Sequence, residues 1–175
     1  CDHHRWMLRS RASAHRRIGA EVQVKLPSSA IEVIETFRLG FVATVTAGGR
    51  PNVSPKGTFV VLDDETIAFG EIRSPQTVTN LTTNPELEGN FVDQWKRKGV
   101  RVRGTAQMVR RGTAEFDALL PKWVAIWGDL TQRINMIVKI PVDEAKPLTT
   151  PPYDDGATED EMISTYKAKY AEIYP

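Results

Sequence analysis

The chain has 175 residues, of which 41% are hydrophobic and 26% charged, values typical of one globular domain with a substantial core. Its net charge of +1 gives no general reason to expect a nucleic-acid partner, and no apolar run is long enough to cross a bilayer. The single cysteine, Cys1, excludes an intrachain disulfide and a cysteine-based metal site, and this favours a cytoplasmic location.

The first 25 residues form a basic segment without helix or strand periodicity. Asp2 and Glu21 are its acidic residues, and all three histidines of the chain lie here. The segment lacks the apolar stretch of a signal peptide. We expect residues 1–25 to be a disordered extension, and the alternative is a basic arm that contacts RNA or an anionic surface. Its basic residues are Arg5, Arg9, Arg11, Arg16, Arg17 and Lys25.

A short amphipathic helix is the next predicted element. Ser29 and Glu32 have the spacing of a capping box, and Gly40 can end the helix. Three strands joined by tight turns follow, over residues 41–46, 51–63 and 66–71. Pro51 and Pro55 indicate that the second of these strands lies at a sheet edge or contains a bulge.

Three more strands are predicted in the second half of the chain. The strongest signal is the alternation of apolar and polar residues over 100–109, with Arg101 and Arg103 on the polar face. The other two strands are predicted over residues 86–94 and 133–148, and the second alternates through Ile134, Met136, Val138, Ile140 and Val142. Between them, a helix over 112–128 is expected to break at Pro121.

Six strands with few helices predict an α+β protein built on a small, mostly antiparallel β-barrel with short peripheral helices. The barrel domain is assigned to residues 26–148. Residues 149–175 are assigned to a linker and a C-terminal helix, which Thr158 and Glu161 would cap.

The stretch AFGEIRSPQTVTNLTTNP contains the main candidate for a ligand site. Ser74 occupies the N-cap position of a short polar helix, and Pro75 its first position. The N–H groups of a first helical turn have no partner within the helix and attract anions. Arg73 adds positive charge, and the side chains of Gln76 and Thr77 add hydrogen-bond donors, so the stretch predicts a phosphate site. Simple capping by Ser74 and a solvated Arg73 would explain the same residues without a ligand.

Lys56 lies between a proline and a glycine in a predicted barrel strand, an unusual position for a core residue. It is interpreted either as an exposed edge lysine or as a site residue. Arg101 and Arg103 are interpreted as a solvated face or as charges near a ligand. No histidine lies within residues 26–148, which argues against a histidine-dependent triad or histidine metal site there.

Several segments, in their order and spacing, resemble the pyridoxamine 5'-phosphate oxidase-like family of FMN-binding split β-barrels. The resemblance runs from about Leu26 to Lys146 and is carried by GFVATV, GRPNVSP, IAF, TNLTTNP and GVRVRGTAQMV. It implies a six-stranded, mostly antiparallel split barrel and a homodimer with two FMN sites at the subunit interface. It also implies an FMN-dependent oxidoreductase acting on a small substrate. The alternatives are a non-catalytic module that binds a flavin, haem or deazaflavin, and an apo barrel that acts through protein contacts.

The same resemblance assigns residues to the cofactor by position. The residues expected to face the ring or the ribityl chain are Val53, Ser54, Pro55 and Lys56. Those expected to border the flavin are Glu71, Ile72 and Arg73. Those expected to bind the phosphate are Ser74, Gln76 and Thr77.

Two departures from the family pattern qualify this assignment. Family members often carry arginine or lysine where this chain has Gln76 and Thr77, so Arg73 or Lys56 would have to supply the positive charge. The paired arginines and tryptophan of the true oxidase's C-terminal segment have no equivalent in residues 133–175. The chain is therefore not expected to be a genuine pyridoxamine phosphate oxidase. No residue stands out as a dedicated catalytic acid or base.

Overall fold

The computed structural model describes residues 24–175, which form one curled antiparallel sheet with short helices around it. The strands are β1 (Gly40–Val45), β2 (Pro51–Lys56), β3 (Phe59–Asp63), β4 (Thr66–Glu71), β5 (Glu86–Asp93), β6 (Lys98–Thr105), β7 (Gln107–Arg110) and β8 (Met136–Leu148). The α-helices are α1 (Ser28–Phe37), α2 (Pro75–Thr83), α3 (Ala114–Leu119), α4 (Pro121–Trp127) and α5 (Glu159–Ala171). Two 3-10 helices cover Gly128–Arg133 and Pro151–Tyr153.

The strand order is β2-β1-β5-β6-β8-β4-β3, and β7 pairs with the first half of β8 on the edge opposite to β4. The 13-residue β8 joins the two halves of the sheet, because its first half pairs with β4 and β7 and its second half with β6. The sheet curls into a half-barrel, which confirms the predicted split β-barrel. Among the strands that the structure describes, β2 pairs only with β1, so Pro51 and Pro55 do lie on an edge strand.

The sheet has eight strands among the described residues, where six were predicted. Two of the predicted strands are interrupted. Gly57 and Thr58 separate β2 from β3, and Ala106 separates β6 from β7. The second break also shifts the alternation, so that Val109 is buried while Met108 is only half-buried.

The core consists of two clusters on opposite sides of β8. Inside the barrel, the ring of Phe59 lies 5.4 Å from that of Phe69 and 4.6 Å from that of Phe91, measured between centroids. On the other side, Ile137 packs in a cluster with Phe116 and Trp123 of α3 and α4. The alternation predicted for β8 is therefore correct, but both of its faces are buried because two short helices cover the outer one.

The helix ends show where local signals were right and wrong. Thr158 and Glu161 form the predicted capping box of α5, and the predicted break at Pro121 separates α3 from α4. The predicted capping box of α1 is wrong, because its N-cap is Pro27 and no side chain caps it. Gly40 does not end α1 either, since Arg38 (φ 52°) takes the left-handed position.

Gly40 is instead the first residue of β1, where a Cβ would lie 2.4 Å from Phe91 and 2.8 Å from Phe59. Close packing of the aromatic core explains this glycine.

The predictions for the basic N-terminal segment fall on residues 1–25, of which residues 1–23 lie outside the described residues. Lys25 is described, and its Nζ lies 2.6 Å from Asp64 Oδ2. Of the helices that the structure describes, none is long and apolar enough to cross a membrane.

Candidate functional site

A cavity of about 130 Å³ lies where the end of β2 meets the end of β4. Its walls come from two short segments, residues 54–58 and 70–74. The segments are held together because Thr58 donates its hydroxyl to the Gly70 carbonyl at 2.7 Å. The cavity is therefore built by the interruption between β2 and β3, which places the end of β2 beside the turn that leads into α2.

Lys56 provides the buried positive charge of the cavity. Only 6% of this residue is exposed, and its Nζ donates to Ser54 Oγ at 2.7 Å and to Thr77 Oγ1 at 3.3 Å. Burial lowers the pKa of the Lys56 ammonium below its usual value, and the nearby carboxylate of Glu71 partly opposes this shift. The interpretation of Lys56 as an exposed edge lysine is therefore wrong.

Glu71 provides the buried negative charge. Its Oε2 lies 4.0 Å from Lys56 Nζ. The carboxylate accepts the backbone N–H of Ser74 at 2.5 Å and also the Ser74 hydroxyl. Ser74 is thus at the predicted N-cap position of α2, but its side chain donates to Glu71 and does not cap the helix.

The start of α2 offers further donors beside this ion pair. Pro75 has no N–H, and the first-turn amides of Gln76 and Thr77 have no intrahelical partner by the geometry of an α-helix. Arg73 lies exposed at the cavity wall. This arrangement can attract an anion through one buried ammonium, one exposed guanidinium and two backbone amides.

A polar interface that sequence reasoning missed fixes α2 to β1 and β2. Asn80 is buried, and its amide donates to Thr44 Oγ1 at 2.9 Å. Asn52 donates to the same oxygen at 3.2 Å, and Gln76 donates to Asn80 Oδ1 at 2.7 Å. The one available signal is the occurrence of threonine and asparagine at inward positions of β1 and α2, where apolar residues are usual.

The structure brings together most of the residues that the sequence assigned to a cofactor. Seven line the cavity: Ser54, Pro55, Lys56, Glu71, Ile72, Arg73 and Ser74. Thr77 joins them through its contact with Lys56. Val53 does not line the cavity, because it lies 62% exposed on the outer face of β2, and Gln76 is turned towards Asn80.

The remaining charged candidates lie elsewhere. Arg101 and Arg103 are on the exposed face of β6, where Arg103 pairs with Glu88 and Glu144. Asp64 and Glu65 form the turn between β3 and β4. Within residues 24–175, no group of histidine, cysteine or acidic residues is arranged to hold a metal ion.

A larger cavity of about 460 Å³ lies between α1, the β5–β6 turn and the start of α5. Its two lysines are held by carboxylates. Lys96 Nζ lies 3.3 Å from Glu159 Oε2 and 3.5 Å from Glu32 Oε1, and Lys98 Nζ lies 2.9 Å from Glu159 Oε1. These lysines lie in partly exposed ion pairs, whereas the cavity beside α2 has a buried ammonium next to free N–H groups of a helix start and is therefore better suited to an anion.

Comparison with known proteins identifies the family to which the chain belongs. The family model described as pyridoxamine 5'-phosphate oxidase matches residues 26–133, more than half of the chain. The solved structure of HupZ from group A Streptococcus is 30% identical, covers 71% of this chain and 95% of its own, and has a TM-score of 0.62. A comparison with curated proteins gave no match.

Two more distant structures share the fold. An F420 reductase is 21% identical, with 69% of this chain and 98% of that chain covered and a TM-score of 0.54. An FMN-binding protein from Syntrophomonas wolfei is 16% identical, with 70% and 86% covered and a TM-score of 0.58. The family-model match over more than half of the chain, with which the split barrel agrees, shows that the chain belongs to the pyridoxamine 5'-phosphate oxidase-like family.

Proposed function

We propose that the chain binds FMN, with the nucleotide phosphate at the cavity between β2, β4 and α2, and that it acts as an FMN-dependent oxidoreductase on a small substrate. The observation that carries the proposal is the buried ammonium of Lys56, which faces hydroxyl groups in an anion-attracting cavity. A lysine is rarely buried without a function or a close partner. Family membership supports a flavin-type ligand at this place.

The residues present fit a phosphate in most respects. Lys56 would supply the charge that the family often places at the positions of Gln76 and Thr77. The hydroxyls of Ser54 and Thr77 and the first-turn amides of α2 would supply hydrogen bonds. Arg73 would screen the outer side. When bound, FMN supplies the redox chemistry, and these residues orient it and stabilise negative charge.

The size of the cavity argues for a partner subunit. A volume of about 130 Å³ is well below the roughly 300–1,000 Å³ of typical small-molecule sites, so one chain encloses only one end of the cofactor. The outer face of β1 and β2 adjoins the cavity at Pro55 and is apolar. It consists of three cross-strand pairs: Phe41 with Pro55, Ala43 with Val53, and Val45 with Pro51.

We therefore propose that a second copy of the chain covers this apolar face and completes the site. The side chains of Phe41, Val45 and Val53 are large, apolar and exposed in the single chain. An interface between two copies would bury them. The substitution Phe41→Asp is expected to turn a dimer into a monomer in sedimentation or light scattering. A native chain that is monomeric at all concentrations would contradict the proposed dimer. Cofactor binding would still be tested separately, by titration.

Titration with FMN tests the cofactor proposal directly. At FMN concentrations about 100 times the Kd, a ligand that binds only the folded chain adds about 2.7 kcal/mol of stability, which corresponds to a rise of several degrees in melting temperature. Flavin absorbance should remain with the protein after gel filtration. Absence of both effects, for FMN, riboflavin and a deazaflavin alike, would remove the proposed function.

Redox assays separate the oxidoreductase from a non-catalytic carrier. With FMN bound, a nicotinamide donor should bleach the flavin absorbance, and an acceptor should restore it. A flavin that stays oxidised with every donor tested, yet bleaches with dithionite, identifies a carrier. A deazaflavin that binds more tightly than FMN would change the cofactor assignment.

A further inference from the structure

We infer that the carboxylate of Glu71 competes with the cofactor's phosphate for the start of α2, so that this residue sets how strongly the site discriminates between phosphorylated and unphosphorylated flavins. This inference rests on the proposed function, because it concerns the same cavity. It goes further by assigning to Glu71 an effect on specificity that opposes binding of the phosphate.

Both hydrogen-bond donors of Ser74 already have a partner in this chain. Its backbone N–H and its hydroxyl are the donors that a phosphate at this helix start would meet first, and both donate to the Glu71 carboxylate. The start of a helix attracts an anion because of its free N–H groups and its dipole. In this chain, the carboxylate of Glu71 already accepts hydrogen bonds from part of these donors.

The buried charges of Lys56 and Glu71 balance each other. Glu71 and Lys56 are both buried, and 4.0 Å separates Oε2 from Nζ. One carboxylate therefore balances the one ammonium of the cavity. A phosphate that approached Lys56 would come close to Glu71 in surroundings that screen charge poorly, and like charges at such distances repel strongly.

It follows that the phosphate adds little affinity in the native chain. Either Glu71 leaves Ser74 when the phosphate enters, at the expense of two hydrogen bonds, or it stays and repels the phosphate. In both cases riboflavin, which lacks the phosphate, avoids the conflict. The ratio of the riboflavin Kd to the FMN Kd isolates this effect, because the flavin ring is common to both ligands.

The experiment measures this ratio by fluorescence titration in the native chain, in Glu71→Gln and in Glu71→Ala. In the native chain we expect FMN to bind no more than about threefold tighter than riboflavin, whereas loss of the carboxylate should raise this ratio about tenfold. Glu71→Gln keeps the size and the acceptor for the Ser74 N–H. Glu71→Ala tests the same loss of charge if the glutamine variant fails to fold.

Glu35→Gln is the matched control, since Glu35 is an exposed residue of α1 and its substitution changes the net charge equally. It should leave the ratio as in the native chain. An unchanged or lower ratio in both Glu71 variants, with FMN still bound, would overturn the inference while leaving the proposed function intact. If only the Glu71 variants bind FMN, the inference holds and the proposed function of the native chain fails. If no variant binds either flavin, both fail.

Discussion

The cavity beside α2 and the cavity beside α5 contain the same kinds of charged side chain in opposite surroundings. Beside α2, Lys56 and Glu71 are buried and 4.0 Å apart. Beside α5, Lys96 and Lys98 share the carboxylate of Glu159 at 3.3 and 2.9 Å, and all three are partly exposed. The pKa of Lys56 is lowered by burial, whereas the pKa of Lys96 is raised, mainly by its hydrogen bond to Glu159.

The difference shows that the surroundings of a lysine, more than its having a carboxylate nearby, decide what the charge does. An exposed ion pair keeps most of its hydration and contributes little to stability. A buried ammonium has lost its hydration, and Glu71 compensates only in part. A buried pair of this kind contributes less to stability than apolar residues of the same size would, and we infer that Lys56 is retained for binding. Three experiments test this comparison.

The largest expected effect is on cofactor binding. Lys56→Met should weaken FMN binding about tenfold to a hundredfold, because a charge-assisted hydrogen bond of about 1.5–3 kcal/mol is lost. Lys98→Met is the matched control at the other cavity and should leave the FMN Kd unchanged. Equal losses in both variants would mean that long-range charge, and not the buried ammonium, governs binding.

The second effect is on stability and has the opposite sign. Without ligand, the double substitution Lys56→Met with Glu71→Gln should raise the free energy of unfolding by about 1 kcal/mol at neutral pH, a few degrees in melting temperature, because both poorly hydrated charges are removed. Lys56→Met alone would leave the Glu71 carboxylate buried without its cation and should lower the free energy of unfolding.

The pH dependence of this difference follows from the lowered pKa of Lys56. Between the native pKa and the ordinary value of 10.5, the unfolded chain binds more protons than the native one, so native stability rises with pH in that window. The stability advantage of the double variant should therefore be greatest below the native pKa of Lys56 and shrink as the pH approaches 10.5. Melting curves of both proteins from neutral to alkaline pH measure it. A difference that grows with pH would contradict the assigned direction.

The smallest effect is expected at the exposed network. Glu159→Gln should lower the free energy of unfolding by less than about 1 kcal/mol at low salt, and added salt should reduce the difference. The pKa of Glu159 is lowered, first by the hydrogen bond from Lys98, so its contribution is present above 4.5 and is lost as the pH falls through the native pKa. The FMN Kd should not change. A salt-independent loss of several kcal/mol would show that this network behaves like the buried pair.

Much of the fold could be predicted from sequence because its signals are local. Alternation predicted β6 and β8, prolines predicted the edge strand β2, and Thr158 with Glu161 predicted the start of α5. The interruptions at Gly57 and Ala106 were missed, because they depend on strand pairing in the curled sheet. At Gly57 the chain changes its partner from β1 to β4, and at Ala106 it stays paired with β8 but leaves β5. The glycine at position 40 was misassigned because the close approach of Phe91 is not visible in sequence.

The candidate site was predictable as a set of residues but not as an arrangement. The sequence of β2, PNVSPK, alternates Pro51, Val53 and Pro55 with three polar residues, and it is the polar positions that face inward, so hydrophobicity indicates the wrong side of the strand. Lys56 therefore remained ambiguous. The partner of the Ser74 hydroxyl was equally open, since an N-cap serine ordinarily accepts from its own helix, whereas here it donates to Glu71.

The amino-acid sequence by itself determined the element order, the edge position of β2 and the family, because periodicity, turn residues and motif spacing are properties of neighbouring positions. Tertiary structure alone decided that Lys56 is buried, that Thr77, 21 positions further along the chain, accepts its hydrogen bond, and that Glu71 occupies the start of α2. The physical reason is that hydration and charge balance depend on which distant segments pack together, and the barrel brings those segments together only when it closes around β8.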